Sequence, residues 1–276
     1  MPINNTTPAA ASDDIAILAV LESLALAAGR AVMAVFHCDF EVERKSDATP
    51  VTEADRAAEK IILDGLRRAF PGIPCVAEEE SSQGLCPSDP GKTFFLVDPL
   101  DGTREFVGRR GDFTVNVALI RGGAPEIGVV YAPASRKCFA GRPGRAEEII
   151  VSPDYEEVAR RSISVRESRL PLTVVASRSH SNPETERYIR DLGTVELVSV
   201  GSSLKFCMLA AGEADLYPRF SRTMEWDTAA GDAVLRAAGG STRTLDGKPL
   251  TYGKCRQAGE ADYANPSFIA AGSDKG

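Results

Sequence analysis

"VDPLDGTREFVGRRGDFTVNVALI" (Val97–Ile120) joins an acidic turn to an apolar strand, and the rest of the chain is best read outward from it. The residues leading in, "FFLVD" (94–98), form a buried-type strand, so Asp98 falls where that strand leaves the core. On a straight strand, residues three apart point to opposite faces. Pro99 lacks a backbone donor and fixes one torsion, which favours a bend between Asp98 and Asp101. A bend lets both carboxylates, and the Leu100 carbonyl between them, converge on one point. Gly102 permits close backbone approach, and Thr103–Phe106 can open a short helix whose free N–H groups bind an anion. Taken alone, the string fits an ordinary turn equally well, because Asp, Pro and Gly dominate turns.

Further acids change the balance. Glu78, Glu79 and Glu80 end another apolar stretch, and Asp227 sits in "EWDTAAGDAVL" just ahead of an apolar helix. Each has a plain reading, the Glu run as a solvated loop and Asp227 as a helix N-cap. Together with Asp98 and Asp101 they can form an oxygen cage for two divalent ions.

Composition narrows the chemistry. The chain has 276 residues, 43% hydrophobic and 26% charged, which suits one large globular domain or two modest ones. Its formal charge of -7 argues against nonspecific nucleic-acid binding, which needs a basic face, but leaves room for a small phosphorylated ligand. The six cysteines are scattered without a C-x-x-C pair, as expected for reduced thiols rather than a disulfide framework or a zinc site. With two histidines, any metal is held by carboxylates and is therefore a hard ion such as magnesium or manganese. The apolar-rich stretch from Ile15 to Phe36 is punctuated by charge and is read as an amphipathic helix, not as a bilayer span or signal peptide. A cytoplasmic protein is expected.

Pattern along the chain gives two grammars. Ser12 or Asp13 can cap a first helix that runs to about Phe36; the loop "KSDATPVTEAD" leads into a second, from about Glu53 to Ala69. Strands are expected at "PCVAEE", "TFFLVD", "FTVNVALI", "EIGVVYAP", "KCFAGR" and "SISVRES", with an insertion-like loop at Gly84–Gly91. After a soft boundary near Arg166–Pro171, strands "LTVVASR", "VELVSV" and "ADLYPRF" alternate with helices near Glu184–Asp191, Ser203–Ala211 and Thr228–Ala238. The reading is an N-terminal α+β half, 1–168, carrying most of the acids, and a C-terminal α/β half, 169–276.

The ordered strings "AEE", "VDPLDGT" and "WDTAAG" resemble the inositol monophosphatase superfamily of magnesium-dependent, lithium-sensitive phosphatases, from about Lys45 to the C-terminal region. That resemblance implies an α/β fold, a layered α-β-α-β-α sandwich of the sugar-phosphatase type. It implies that Glu78, Asp98 and the Leu100 carbonyl hold one metal, and that Asp98, Asp101 and Asp227 hold a second. Two or three Mg2+ per site are expected, with Mn2+ as a substitute. It makes Asp55, in "VTEAD", the partner of Thr103 in activating the attacking water, with Glu78 also touching that water. The residue-level alternatives are a first-turn helix acid for Asp55 and a helix cap for Thr103.

Cations in the second half point to the substrate. "VASRSH" carries Arg178 and His180, "GSSLKFC" carries Ser202 and Lys205, and "LYPRF" carries Arg219, all at expected strand exits or helix starts. A substrate with one phosphate on the metals and another elsewhere needs such fixed donors. These strings, with "GDFTVN" in place of "GEFTVN", resemble the 3'(2'),5'-bisphosphate nucleotidase branch of the superfamily. The implied substrate is 3'-phosphoadenosine 5'-phosphate, a small nucleotide of sulfate assimilation. Gly102 and Thr103 then sit at the scissile phosphate, while His180, Ser202, Lys205 and Arg219 contact the nucleotide and its 5'-phosphate. Peripheral association with the inner face of the cell membrane is compatible with the resemblance, and no oligomeric state is implied. Competing substrates are inositol-1-phosphate and fructose 1,6-bisphosphate, and a non-catalytic binder of such ligands is a further reading. A haloacid dehalogenase-type site is disfavoured, because its two acids are one residue apart whereas Asp98 and Asp101 are separated by two.

Overall fold

The computed structural model describes residues 8–44, 50–177 and 182–272. In chain order the elements are α1 (Pro8–Phe36), the ribbon β1 (Glu43–Arg44) and β2 (Pro50–Val51), α2 (Glu53–Ala69), β3 (Cys75–Ala77), α3 (Glu78–Ser82), β4 (Thr93–Asp101) and α4 (Thr103–Val107). There follow β5 (Thr114–Arg121), β6 (Ala124–Ala132), β7 (Lys137–Arg142), β8 (Arg145–Val151) and β9 (Glu157–Ile163). The remainder comprises β10 (Leu172–Ser177), α5 (Pro183–Asp191), β11 (Val195–Val200), α6 (Leu204–Ala210), β12 (Leu216–Arg219), β13 (Thr223–Met224), α7 (Glu225–Ala237), β14 (Ser241–Thr244), β15 (Ala264–Asn265) and β16 (Phe268–Ala271).

Two sheets organise these pieces. The first has seven strands in the order β3-β4-β5-β6-β7-β8-β9, antiparallel except for the β3–β4 pair. The second has five, β11-β10-β12-β16-β14, parallel among β11, β10 and β12 and antiparallel elsewhere. β4 reads as a continuous apolar run because both its faces are covered. Phe95 and Val97 point into a core shared with α1 and α2, Phe94 and Leu96 into a second core shared with α6 and α7. That second core also takes in Val175, Tyr217 and Phe268 of the second sheet, so α6 and α7 lie between the sheets. β11 and β12 flank β10 on opposite sides, so right-handed crossovers put α5 and α6 on opposite faces of that sheet. The result is the expected layered α-β-α-β-α arrangement.

Close approach of α7 to the first sheet depends on absent side chains. A Cβ on Gly128 would stand 2.5 Å from the Ala230 carbonyl, so glycine on β6 sets the depth at which α7, and with it Asp227, is seated.

Several boundaries differ from expectation. α1 starts at Pro8, one turn before Ser12 and Asp13, and Asp14 is instead used in an ion pair with Arg121 at 2.7 Å. Over Asp13–Phe36 this helix is long and apolar enough to cross a membrane by length and composition, contrary to the expectation from its charge punctuation. Its Leu21, Ala25, Ala28 and Val32 are fully buried in the protein core. Strand β8, "RAEEIIV", was not foreseen. Its Glu147 and Glu148 are buried and pair with Arg145, Arg160, Lys137 and Arg161. β3 stops at Ala77, so the three glutamates open a helix rather than end a strand.

Candidate active site

β4 does not end at Asp98; it continues through Asp101 with a break in register. Asp98 lies opposite Asn116 and Asp101 opposite Thr114, so three steps on β4 match two on β5. That extra residue is a bulge, and it reverses the alternation of side chains beyond it. Asp98 and Asp101 therefore face the same side although they are three apart. Pro99, with no N–H to lose from the ladder, occupies the bulge. Asp98 is buried, and its Oδ1 accepts a hydrogen bond from Leu100 N at 3.0 Å.

Two helix starts bring the remaining acids to this point. α3 begins at Glu78, and its N-cap residue, Ala77, provides no side-chain cap. The missing acceptor comes from α2: Glu59 takes hydrogen bonds from Glu79 N at 2.8 Å and Glu80 N at 2.9 Å. Burial, then the Glu79 charge, pushes Glu59 up to about 7 against the pull of these donors. Asp227, whose plain reading was an N-cap, is the third residue of α7, where its carboxylate accepts from Met224 N at 2.7 Å. One oxygen is thus fixed by the helix start.

The acids repel one another in a poorly solvated place. Burial, then the charges of Glu78, Asp101 and Asp227, raises the Asp98 carboxyl well above its usual value. Burial first, then Asp101 and Glu78, raises Asp227. Asp101 is raised by burial and partly relieved by Lys205, by the Ser203 N–H and by Asn116. Such a cluster is short of positive charge, and all its donors are oxygens, the set that suits a hard divalent cation. Among the described residues, no three His, Cys, Asp or Glu side chains stand ready-closed around one metal position. Side-chain rotation is needed; one oxygen of Asp98 and one of Asp227 accept from main-chain N–H groups.

Asp55 serves as both a helix cap and a neighbour of Thr103. Its Oδ2 accepts from Thr52 N and Thr52 Oγ1, both at 2.8 Å, completing the capping box of α2. Oδ1 is turned to Thr103 Oγ1 at 3.4 Å, and the same hydroxyl donates to the Leu100 carbonyl at 3.1 Å. Gly102 between them has φ 91 and packs 3.2 Å, by its missing Cβ, from the Asp112 carbonyl.

A cleft of about 550 Å³ opens here, within the range of small-molecule sites. Glu78, Asp98, Leu100, Asp101, Gly102, Thr103 and Asp227 line it together with Ser202, Lys205 and Arg219, and Asp55 stands behind Thr103. The expected residues from both halves are thus brought together; His180, like Arg178 and Lys45, lies outside the described residues.

In the same cleft, Lys205 is 4% exposed and Arg219 is 8% exposed. Lys205 Nζ donates to the carbonyls of Val200 and Ser202, and burial pushes its pKa down to about 8 against the favourable charge of Asp101. Arg219 Nε is buried with no hydrogen-bond partner among the described residues. A buried, unsatisfied guanidinium donor is costly without an acceptor. Ser202 carries φ 49, a strained value for a residue with a side chain.

Sequence reading missed the residues that tie the two walls together. Ser203 Oγ donates to Asn116 Oδ1 at 2.7 Å and lies 2.9 Å from Thr114 Oγ1, while Asn116 Nδ2 reaches Asp101 Oδ2 at 3.4 Å. The signal was present: Thr114 and Asn116 are two polar residues on one face of an otherwise apolar strand. Arg104, Arg222, Met224 and Trp226 also line the cleft and were not anticipated.

The sequence model of the Inositol monophosphatase family matches residues 14–275. The chain belongs to this family. Its members are metal-dependent, typically on magnesium, which agrees with the oxygen-only donor set. The chain is 45% identical over 247 residues to "3'(2'),5'-bisphosphate nucleotidase CysQ" of Escherichia coli (strain K12), covering 89% of this chain and 95% of that protein. The protein of the same name from Buchnera aphidicola is 37% identical over 258 residues, covering 90% and 91%. Among solved structures, CysQ from Bacteroides thetaiotaomicron superposes with a TM-score of 0.77 at 37% identity, over 93% of this chain and 97% of that one. A Thermotoga maritima IMPase gives 0.71 at 25% identity over 91% and 90%.

Proposed function

We propose that this family member is a magnesium-dependent 3'(2'),5'-bisphosphate nucleotidase that hydrolyses 3'-phosphoadenosine 5'-phosphate to AMP and inorganic phosphate. One observation carries the choice of substrate: a single cleft sets four acids, Glu78, Asp98, Asp101 and Asp227, against two buried cations, Lys205 and Arg219. A ligand with one anionic group would leave one wall uncompensated. A bisphosphate satisfies both, one phosphate through metal on the acid wall and the other directly on Lys205 and Arg219. The similarity to proteins named as bisphosphate nucleotidases supports the same reading.

The donor set fits magnesium, with Glu78, Asp98, Asp101, Asp227 and the Leu100 carbonyl as its ligands. When bound, the metal supplies cancellation of phosphoryl charge and a lowered pKa for the attacking water. The chain's own residues do the rest. Thr103 Oγ can accept the water proton as it passes its own to Asp55 Oδ1. Asp55 is held for this by Thr52, which fixes its other oxygen. Glu78, at the start of α3, faces the same water. Lys205, Arg219 and Ser202, with His180, orient the nucleotide so that the 3'-phosphate is the group presented to the acids. We assign the chain to the cytoplasm, with lithium inhibition following from the family.

The test is turnover with magnesium of the bisphosphate beside adenosine 3'-phosphate, inositol-1-phosphate and fructose 1,6-bisphosphate. The expected result is a kcat/KM for the bisphosphate well above all three. A preference for inositol-1-phosphate refutes the assignment of the cationic wall, and tight binding without phosphate release refutes the enzyme reading.

A further inference from the structure

One carboxylate fastens together the two distant segments that build the cleft. Asp112, in the loop between α4 and β5, accepts a hydrogen bond from Gly201 N at 2.6 Å, 89 residues along the chain. The approach is too close for any side chain at 201: a Cβ there would stand 2.7 Å from the Asp112 carbonyl and 2.9 Å from its Oδ2. The carbonyls on either side of Gly201, those of Val200 and Ser202, are the acceptors that hold Lys205 Nζ. Ser202 keeps its left-handed φ of 49 within the same turn, a conformation that persists only when neighbours impose it. Ser203, at the far end of the turn, is pinned separately to β5 through Asn116 and Thr114.

We propose that Asp112 is a positioning residue for substrate selection, holding the Gly201 end of the turn so that Ser202 and Lys205 meet the second phosphate of a bisphosphate. The inference rests on the bisphosphate reading of the cleft and adds a residue that does not itself line it. Loss of the Asp112 carboxylate frees Gly201 and Ser202, while Ser203 continues to anchor the side next to Asp101. The penalty therefore falls on the second phosphate and largely spares the reacting one.

Steady-state kinetics with magnesium on the bisphosphate and on adenosine 3'-phosphate, which lacks the second phosphate, test this in Asp112→Ala, Asp112→Asn and Gly201→Ala. Losing a hydrogen bond to a charged acceptor predicts a KM for the bisphosphate raised about tenfold or more in Asp112→Ala. Gly201→Ala, which breaks the same contact from its other side, shows the same selective rise. Asp112→Asn keeps an acceptor oxygen and recovers most of the loss. The double variant is no worse than either single one, because both remove one contact. Equal losses on the two substrates, or additive effects in the double variant, overturn the proposal. If Asp112→Ala does not fold, Asp112→Asn and Gly201→Ala still decide it. A wild-type enzyme indifferent to the second phosphate refutes the bisphosphate reading itself, a failure separable from one confined to the variants.

Discussion

Replacing Lys205 with methionine separates what the buried cation does for the ligand from what it costs the fold. The side chain is 4% exposed, and its pKa falls from 10.5 to about 8, chiefly because burial disfavours the charged form. At about 1.4 kcal/mol per tenfold change in proton affinity, that fall corresponds to about 3 kcal/mol of stability withheld at neutral pH. The folded state releases the proton near pH 8 while the unfolded chain keeps it to 10.5. Stability of the wild type therefore rises with pH across that window and is lowest below it. Lys205→Met removes the charge and so removes this dependence. It also leaves the Val200 and Ser202 carbonyls without their donor, a loss of about 1 kcal/mol each that is independent of pH. The variant should thus be more stable than the wild type at pH 7 and less stable near pH 10, with a swing approaching about 3 kcal/mol.

Urea unfolding in the presence of chelator, at both pH values and with matched m-values, measures that swing. The same variant should lose about 10- to 150-fold in kcat/KM on the bisphosphate, the worth of one ionic hydrogen bond, and far less on adenosine 3'-phosphate. A wild type–variant difference that stays constant between pH 7 and 10 would refute the claim that the charge is strained in the fold. Equal losses on the two substrates would refute its assignment to the second phosphate.

Other expectations follow from single contacts. Asp98→Asn removes one of four mutually repelling carboxyls, so the chelated protein should melt higher than wild type while losing the stabilisation that magnesium gives the wild type, read as the shift in Tm on adding the metal. Thr103→Val deletes the hydroxyl between Asp55 and the Leu100 carbonyl and should lower kcat on the bisphosphate about 10²-fold or more with little change in KM. A matched fall in Tm and activity, without the split between kcat and KM, would make Thr103 structural. Glu59 is pushed up to about 7, so its folded form holds a proton that the unfolded chain releases near 4.5. That contribution is present at low pH and lost as pH rises through 7, and Glu59→Gln should flatten this part of a stability–pH profile. Gly128→Ala forces α7 off the sheet at the Ala230 carbonyl and should cost about 1–3 kcal/mol in urea unfolding.

Local chemistry made half of the site legible. The apolar run before Asp98, the turn at Pro99 and Gly102, and the apolar helix behind Asp227 are all properties of contiguous residues, and patterning reads them directly. What escaped is set by pairing partners. The bulge that puts Asp98 and Asp101 on one side exists only in the register between β4 and β5, which no residue in "DPLD" specifies by itself. The alternative reading of Asp227 as a helix cap arose because the residues that open α7, Glu225 and Trp226, are ordinary interior types; at N3 its carboxylate accepts the Met224 N–H. The service of Glu59 to α3 is a contact across 20 residues or more, which local pattern does not carry.

The arrangement of charge explains why the two walls cannot be read independently. Burial and neighbouring carboxylates raise the pKa values of Asp98, Asp101 and Asp227, and burial lowers that of Lys205 in turn. Each set would be an unfavourable design if it had been placed to hold the fold together, since apolar residues of similar volume do that better. Asn116 and Ser203 instead link Asp101 to the turn that carries Lys205, and their hydrogen bonds hold that acid and that turn in place. Were the acids and cations free to collapse onto each other, the cleft would neutralise itself and bind neither metal nor phosphate. Removing the link tests this. Asn116→Ala should let Lys205 and Asp101 pair directly, raising chelated stability near neutral pH while weakening both the magnesium response and bisphosphate binding. Loss of stability together with an intact magnesium response would show the link to be packing alone.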